Sequence, residues 1–238
     1  QGMTAKQRKR RKPIDEAYML PIEPLTHNQQ VMFDEWDKGK MVYAYGVAGT
    51  GKTYVALYKA LKDVLNEYTP YEKIYIVRSL VATREIGFLP GDHEDKSSLY
   101  QIPYKNMVQS MFEMPDDASY EMLYDNLKAQ ETISFWSTSF IRGTTLDNAI
   151  VIIDECQNLN FHELDSIITR VGQDSKIIFC GDAAQTDLQK VSERTGILDF
   201  QRILQNMEEF ALIEFGVEDI VRSGLVKSYL INKINLGL

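Results

Sequence analysis

Eight residues, Gly46-Val-Ala-Gly49-Thr-Gly51-Lys52-Thr53, carry the most specific chemical signal in the chain. Their spacing is GxxxxGK(S/T), in which small residues let successive backbone N–H groups turn inward around a polyphosphate. No acid stands near Lys52 in the sequence, so its ammonium is expected to be unpaired and to reach the β and γ phosphates. The Thr53 hydroxyl is expected to take one coordination position on Mg2+. A second signal is "AIVIIDECQN", where four apolar residues deliver Asp154 and Glu155 to a strand end. Asp154 suits holding the Mg2+ through water, and Glu155 suits orienting or deprotonating an attacking water. A small-molecule kinase takes its nucleophile from the substrate, so the second carboxylate favours hydrolysis over transfer. The third signal, "KIIFCGDAAQTDL", ends another buried run in Gly181-Asp182 and places Gln185 three residues on, within reach of the γ-phosphate or the attacking water.

These residues need strands to deliver them and helices to receive the loop. Short apolar runs predict strands at 41–45, 73–77, 132–136, 149–153, 176–180 and 210–214, with helical patterns between them. The segment 53–68 has Val55, Leu57, Tyr58, Leu61, Val64 and Leu65 on one side, and Asn160 with Glu163 forms a capping-box-like start to 161–171. The alternation predicts an α/β fold, a parallel sheet flanked by helices. Residues 87–120 break the rhythm with three prolines and many Met and Tyr residues, and read as an insertion of helices and loops at the carboxyl edge of the sheet.

The 238 residues fit one large domain, expected over 22–238. Gln1 and Gly2, ahead of Met3, read as residues 1–2 of a cleaved tag, and residues 3–21 as a basic N-terminal arm. The net charge is −8, yet six bases crowd Lys6–Lys12, which leaves 20 basic against 34 acidic residues elsewhere. The global field therefore does not attract an anion to the body, although a local channel can still be basic. No run approaches the roughly 18 apolar residues of a membrane span, and no signal peptide is evident, so the chain reads as cytoplasmic without membrane contact. Cys156 and Cys180 read as small core hydrophobes, and three scattered histidines give no metal-ligand spacing beyond the Mg2+ of a nucleotide.

The collinear set GVAGTGKT, "VRSLVATREIGFLPGD", "FIRGTTLDNAIVIIDECQN", "GDAAQTDL" and "EDIVRSGLV" resembles the PhoH family of phosphate-starvation-inducible ATPases over about residues 22–231. That family is similar to the first RecA-like domain of superfamily 1 helicases. The resemblance implies a P-loop NTPase fold and ATP as ligand. It implies Gln29 in "LTHNQ" as the adenine-reading glutamine, and motif I at Gly46, Val47, Ala48, Gly49, Thr50, Gly51, Lys52 and Thr53 with Tyr54 beside it. It further implies Asp154, Glu155 and Gln157 as motif II, Asp182 and Gln185 as motif III, and Arg222 as an arginine finger. Arg78-Ser79 departs from the Arg-Pro that members often carry.

The resemblance also implies single-stranded nucleic acid as partner, RNA ahead of DNA. Arg78, Arg84, Arg142 and Thr144 lie in segments that in superfamily 1 relatives approach a strand, and Phe88, Tyr100 and Tyr104 could stack on bases. The alternative is a nucleotide-binding regulatory module with slow hydrolysis and no unwinding. No second RecA-like module is read in the sequence, so Arg222 is expected to serve a neighbouring copy in a closed ring, with a hexamer as the first count.

Overall fold

The computed structural model describes residues 14–78 and 93–238; the basic arm at Lys6–Lys12, Arg84 and Phe88 lie outside the described residues. Six strands form one sheet: β1 (Met41–Gly46), β2 (Lys73–Arg78), β3 (Ile133–Trp136), β4 (Ala149–Asp154), β5 (Lys176–Gly181) and β6 (Phe210–Phe215). Their order is β3-β2-β4-β5-β1-β6, and every pairing is parallel. All six stand where the apolar runs predict strands, with ends differing by one residue. β4 and β5 are buried at every position because helices cover both faces of the sheet.

Alternation along the strands divides the core in two. Ile150, Ile152 and Ile178 pack on one face with α1 (His27–Asp37) and α2 (Lys52–Leu65). Val151, Ile153, Ile177 and Phe179 pack on the other with α6 (Phe161–Ile168) and α8 (Ile197–Gln205). The remaining helices are α3 (His93–Ser110), α4 (Asp117–Ala129), α5 (Thr138–Arg142), α7 (Gln185–Thr195) and α9 (Gly224–Asn235). None of the helices among the described residues is long and apolar enough to cross a membrane.

Helix α2 stops at Leu65, short of the expected Tyr68, because Asn66 turns to extended backbone and its side chain accepts the Tyr68 N–H instead. Asn160 and Glu163 make both bonds of the capping box, and α6 ends at Ile168 rather than Val171. The irregular stretch near 87–120 contains α3 and runs on into α4, which extends to Ala129. Because all strands run the same way, the carboxyl ends of β1, β2, β4 and β5 gather on one edge. That edge receives Gly46, Arg78, Asp154 and Gly181, at the place where open α/β sheets bind ligands.

Candidate nucleotide site

The loop after β1 is folded by close backbone approach. Gly46, at φ 122°, lies in register with Phe215 of β6, and the next residue, Val47, donates its N–H to the Phe215 carbonyl at 3.0 Å. The Thr50 hydroxyl donates back to the Val47 carbonyl at 2.8 Å, and Gly51, at φ 83°, starts α2. Gln29 is buried against this turn. Its Nε2 donates to the Thr50 carbonyl at 3.0 Å, and its Oε1 accepts from the Leu25 N–H at 2.9 Å, so the predicted base reader also braces the loop.

Lys52 corrects the expectation of an unpaired ammonium. It is only 3% exposed, and its Nζ donates to the Val47 carbonyl at 2.6 Å and to the Thr50 hydroxyl at 3.1 Å. It also forms an ion pair with Asp182 Oδ1 at 2.9 Å. A buried ammonium needs such partners. The acid arrives because β5 is the direct neighbour of β1, with Tyr45 opposite Gly181, although it lies far away in sequence.

Asp154 ends the central strand β4 with both carboxylate oxygens engaged. Oδ1 accepts the Thr53 hydroxyl at 2.9 Å and the Glu155 N–H at 3.0 Å, and Oδ2 accepts the Tyr104 hydroxyl at 2.6 Å. Burial raises the Asp154 pKa, while the hydrogen bonds from Tyr104 and Thr53 oppose the rise. Tyr104 is therefore not a surface base-stacking residue; it is buried in the site, and sequence reasoning missed this contact.

Glu155 stands in the left-handed region at φ 54°, ψ 38°, an uncommon conformation for a residue other than glycine. Burial pushes its carboxyl pKa up, the hydrogen bond from Gln157 Nε2 at 2.8 Å opposes this, and the charges of Asp154 and Asp182 add to the rise. The Gln157 Oε1 in turn accepts the Asp182 N–H at 3.1 Å, tying the ends of β4 and β5 together. Arg78 Nη2 lies 4.0 Å from Glu155 Oε1, and the Arg78 guanidinium is 5.5 Å from the centre of the Tyr100 ring.

These groups surround a cavity of about 770 Å³, of the size that holds small ligands. Gly49, Thr50, Gly51, Lys52, Thr53 and Tyr54 form its floor, and Asp154, Glu155, Asp182 and Arg78 one wall. Most of the remaining lining is apolar, with Pro21, Ile22, Leu25, Phe33, Tyr58 and Met107. The Tyr58 hydroxyl pins this lining by accepting the Ile22 N–H at 3.0 Å and donating to the Leu20 carbonyl at 3.2 Å. Beyond Gln29, the sequence reading gave no signal for it.

Arg222, expected at a neighbour's nucleotide, also lines the cavity of its own chain. Its stem passes so close to Gly49 that an added Cβ there would lie 2.9 Å from Arg222 Cγ. The Val221 N–H donates to the Gly49 carbonyl at 3.0 Å. Glu218 folds over Gly216 and Asp219 binds Asn28, so neither acid engages Arg222, which forms no ion pair among the described residues. Gln185 opens α7 outside the cavity lining, with its Oε1 buried and without a hydrogen-bond partner among the described residues. Arg142 and Thr144 lie at the end of α5, away from the cavity, where the Thr144 hydroxyl donates to the Phe140 carbonyl at 3.2 Å.

Mg2+ prefers hard oxygen donors, and the touching Thr53 hydroxyl and Asp154 carboxylate supply them beside the loop. Among the described residues there is no cluster of three or more His, Cys, Asp or Glu side chains able to hold a metal. Such an ion would complete its shell with water and phosphate oxygens.

Comparison with solved structures finds the large terminase of a thermophilic bacteriophage in complex with ATP-gamma-S, at TM-score 0.50 and 16% identity over 87% of this chain and 48% of that one. The shared feature is the RecA-like P-loop fold. The PhoH-like protein of Bacillus subtilis is 34% identical over 86% of this chain and 61% of its own length. Protein PhoH of Escherichia coli is 31% identical over 80% of this chain and 52% of its own length. The chain thus spans little more than half the length of these relatives. The family model described as PhoH-like protein matches residues 21–232, which take in the loop, both acids and the Arg222 segment, and on that ground the chain belongs to the PhoH family.

Proposed function

We propose that this protein is a Mg2+-dependent ATP hydrolase whose turnover is coupled to single-stranded nucleic acid, RNA ahead of DNA. The observation that carries the reading is the contact of the Thr53 hydroxyl with Asp154 on the floor of the cavity, with Glu155 beside it and open to the same space. In this reading Lys52 exchanges part of its Asp182 contact for the β and γ phosphates. Gly49, Thr50 and Gly51 cradle the phosphates with backbone N–H groups, and the apolar wall with Gln29 seats the base. Bound Mg2+ would supply charge neutralisation at the phosphate oxygens, held from the protein side by Thr53 and, through water, Asp154. Glu155 has an upward-shifted carboxyl pKa that suits a general base, and it orients the attacking water and takes its proton. Gln185, whose amide oxygen is buried outside the cavity lining, would have to turn toward the γ-phosphate to sense it, and Arg222 supplies a cation on the open side.

Support for the polymer comes from Arg78, which stands at once on the cavity wall and against Glu155. A phosphate that draws Arg78 away would release the base. We also propose a closed ring of copies, six as the first count. One feature favours the alternative of a slow regulatory module: Lys52 and Glu155 are each held by an opposite charge. Steady-state ATPase with and without single-stranded RNA or DNA separates the two. Several-fold stimulation is expected, and an unchanged slow rate would return the protein to the regulatory reading. Glu155→Gln should bind ATP and fail to hydrolyse it; turnover at the wild-type rate would remove Glu155 as the base.

A further inference from the structure

Helix α3 brings two aromatic side chains to the acids of the site. Tyr104, 3% exposed, donates its hydroxyl to Asp154 Oδ2 at 2.6 Å, while its ring packs against Phe135 with centroids 5.6 Å apart. One turn earlier, the Tyr100 ring faces the Arg78 guanidinium that approaches Glu155. The hydrolytic chemistry set out above assigns no step to a phenol, and packing against Phe135 needs only a ring. A hydroxyl buried at this depth needs an acceptor, and here the acceptor is a carboxylate rather than a backbone carbonyl.

The two oxygens of Asp154 then have different partners. Oδ2 is fixed by Tyr104, and Oδ1 points to Thr53 and the Glu155 N–H. Rotation of the carboxylate would break these bonds together. We infer that Tyr104 is a positioning residue for Mg2+: by holding Oδ2 it keeps Oδ1 of Asp154 turned toward Thr53, so that Oδ1 and the Thr53 hydroxyl would serve the ion together. The inference rests on the reading of Asp154 as the carboxylate that serves Mg2+. Partners of this kind set the orientation of the groups around an ion, and losing one costs about 10- to 100-fold in metal affinity.

The test reads binding instead of turnover. Tyr104→Phe keeps the ring and its packing and removes only the hydroxyl. A fluorescent ATP analogue is titrated first in EDTA, and MgCl2 is then titrated at fixed analogue. For Tyr104→Phe the metal-free affinity should stay within about 2-fold of wild type while the Mg2+ midpoint rises about 10-fold. Asp154→Asn, measured in parallel, should shift the same midpoint at least as far. If Asp154→Asn shifts the midpoint and Tyr104→Phe does not, Tyr104 is a packing residue and the inference fails. It fails equally if Tyr104→Phe weakens metal-free and Mg2+-supported binding by the same factor, since the tyrosine then only props the cavity. If neither variant moves the midpoint, the Asp154 reading falls and takes the inference with it.

Discussion

Gly46→Ala should strongly destabilise this protein, and the reason is steric. A Cβ at Gly46 would overlap the Phe215 carbonyl oxygen and lie 2.9 Å from the Phe215 N and 3.0 Å from its carbonyl carbon. All three are backbone atoms of β6, so no rotamer change relieves the overlap. The chain must also hold alanine at φ 122°, a region that costs about 1–3 kcal/mol for a side-chain-bearing residue. Moving β1 from β6 far enough to admit the methyl group breaks the Val47 N–H to Phe215 bond, worth about 1 kcal/mol net, and loosens the packing on both sides. The expected loss is about 3–5 kcal/mol, against the roughly 5–15 kcal/mol by which domains are stable. Urea unfolding followed by far-UV circular dichroism measures it as a fall in midpoint at constant slope.

Gly51→Ala is the comparator. Its Cβ would meet Gln29 Nε2 at 2.6 Å, and that atom ends a side chain that can move aside. The fold should survive with the Gln29 to Thr50 brace broken, and nucleotide affinity should fall instead. If Gly46→Ala unfolds within about 0.5 kcal/mol of wild type, the approach of β1 to β6 is looser than described and the argument is wrong.

Asp219 gives a pH-dependent prediction. Burial pushes its carboxyl pKa up, but hydrogen bonds from the Asn28 side chain, the Gly216 and Asn28 N–H groups and Thr26 outweigh burial and hold it below the usual range. A depressed folded-state pKa stabilises above the unfolded value of about 3.9, and the contribution disappears as pH falls through the folded value. Asp219→Asn should therefore cost about 2 kcal/mol at pH 7, and its urea midpoint should converge on wild type in acid; a gap constant across pH would refute the account. Arg222→Ala and Lys52→Ala subunits, each inactive alone, are expected to recover part of the ATPase when mixed if the proposed ring forms; no recovery would confine Arg222 to the cavity that it lines in its own chain.

What could be read from the sequence was what is local. The β4 run Ala149–Asp154 announces a buried strand by composition, and the glycines and Lys52 announce a loop by spacing, so strands, loop and acids were all legible. Partners set by strand order were not. Asp182 reaches Lys52 because β5 neighbours β1, a fact no window of residues contains. Tyr104 carries the apolar spacing of a core residue, and its hydroxyl acquires a role only when α3 is laid over β4. Arg222 is exposed, yet the backbone bond from Val221 to Gly49 sets it at the cavity of its own chain.

The clasp from β6 onward has a consequence for the order of synthesis. Phosphate-loop residues Gly46 and Gly49 are seated by Phe215 and Val221, and Asn28 by Asp219, all made after the other five strands. A nascent chain that has emerged only through β5 presents β1 as an open edge, with Val42 and Ala44 awaiting a partner and the loop unsupported on that side. That intermediate exposes a strand edge prone to association, and its loop lacks the backbone bonds to Phe215 and Val221. Nucleotide capture is therefore expected only after synthesis has passed Arg222, once β6 has closed the sheet.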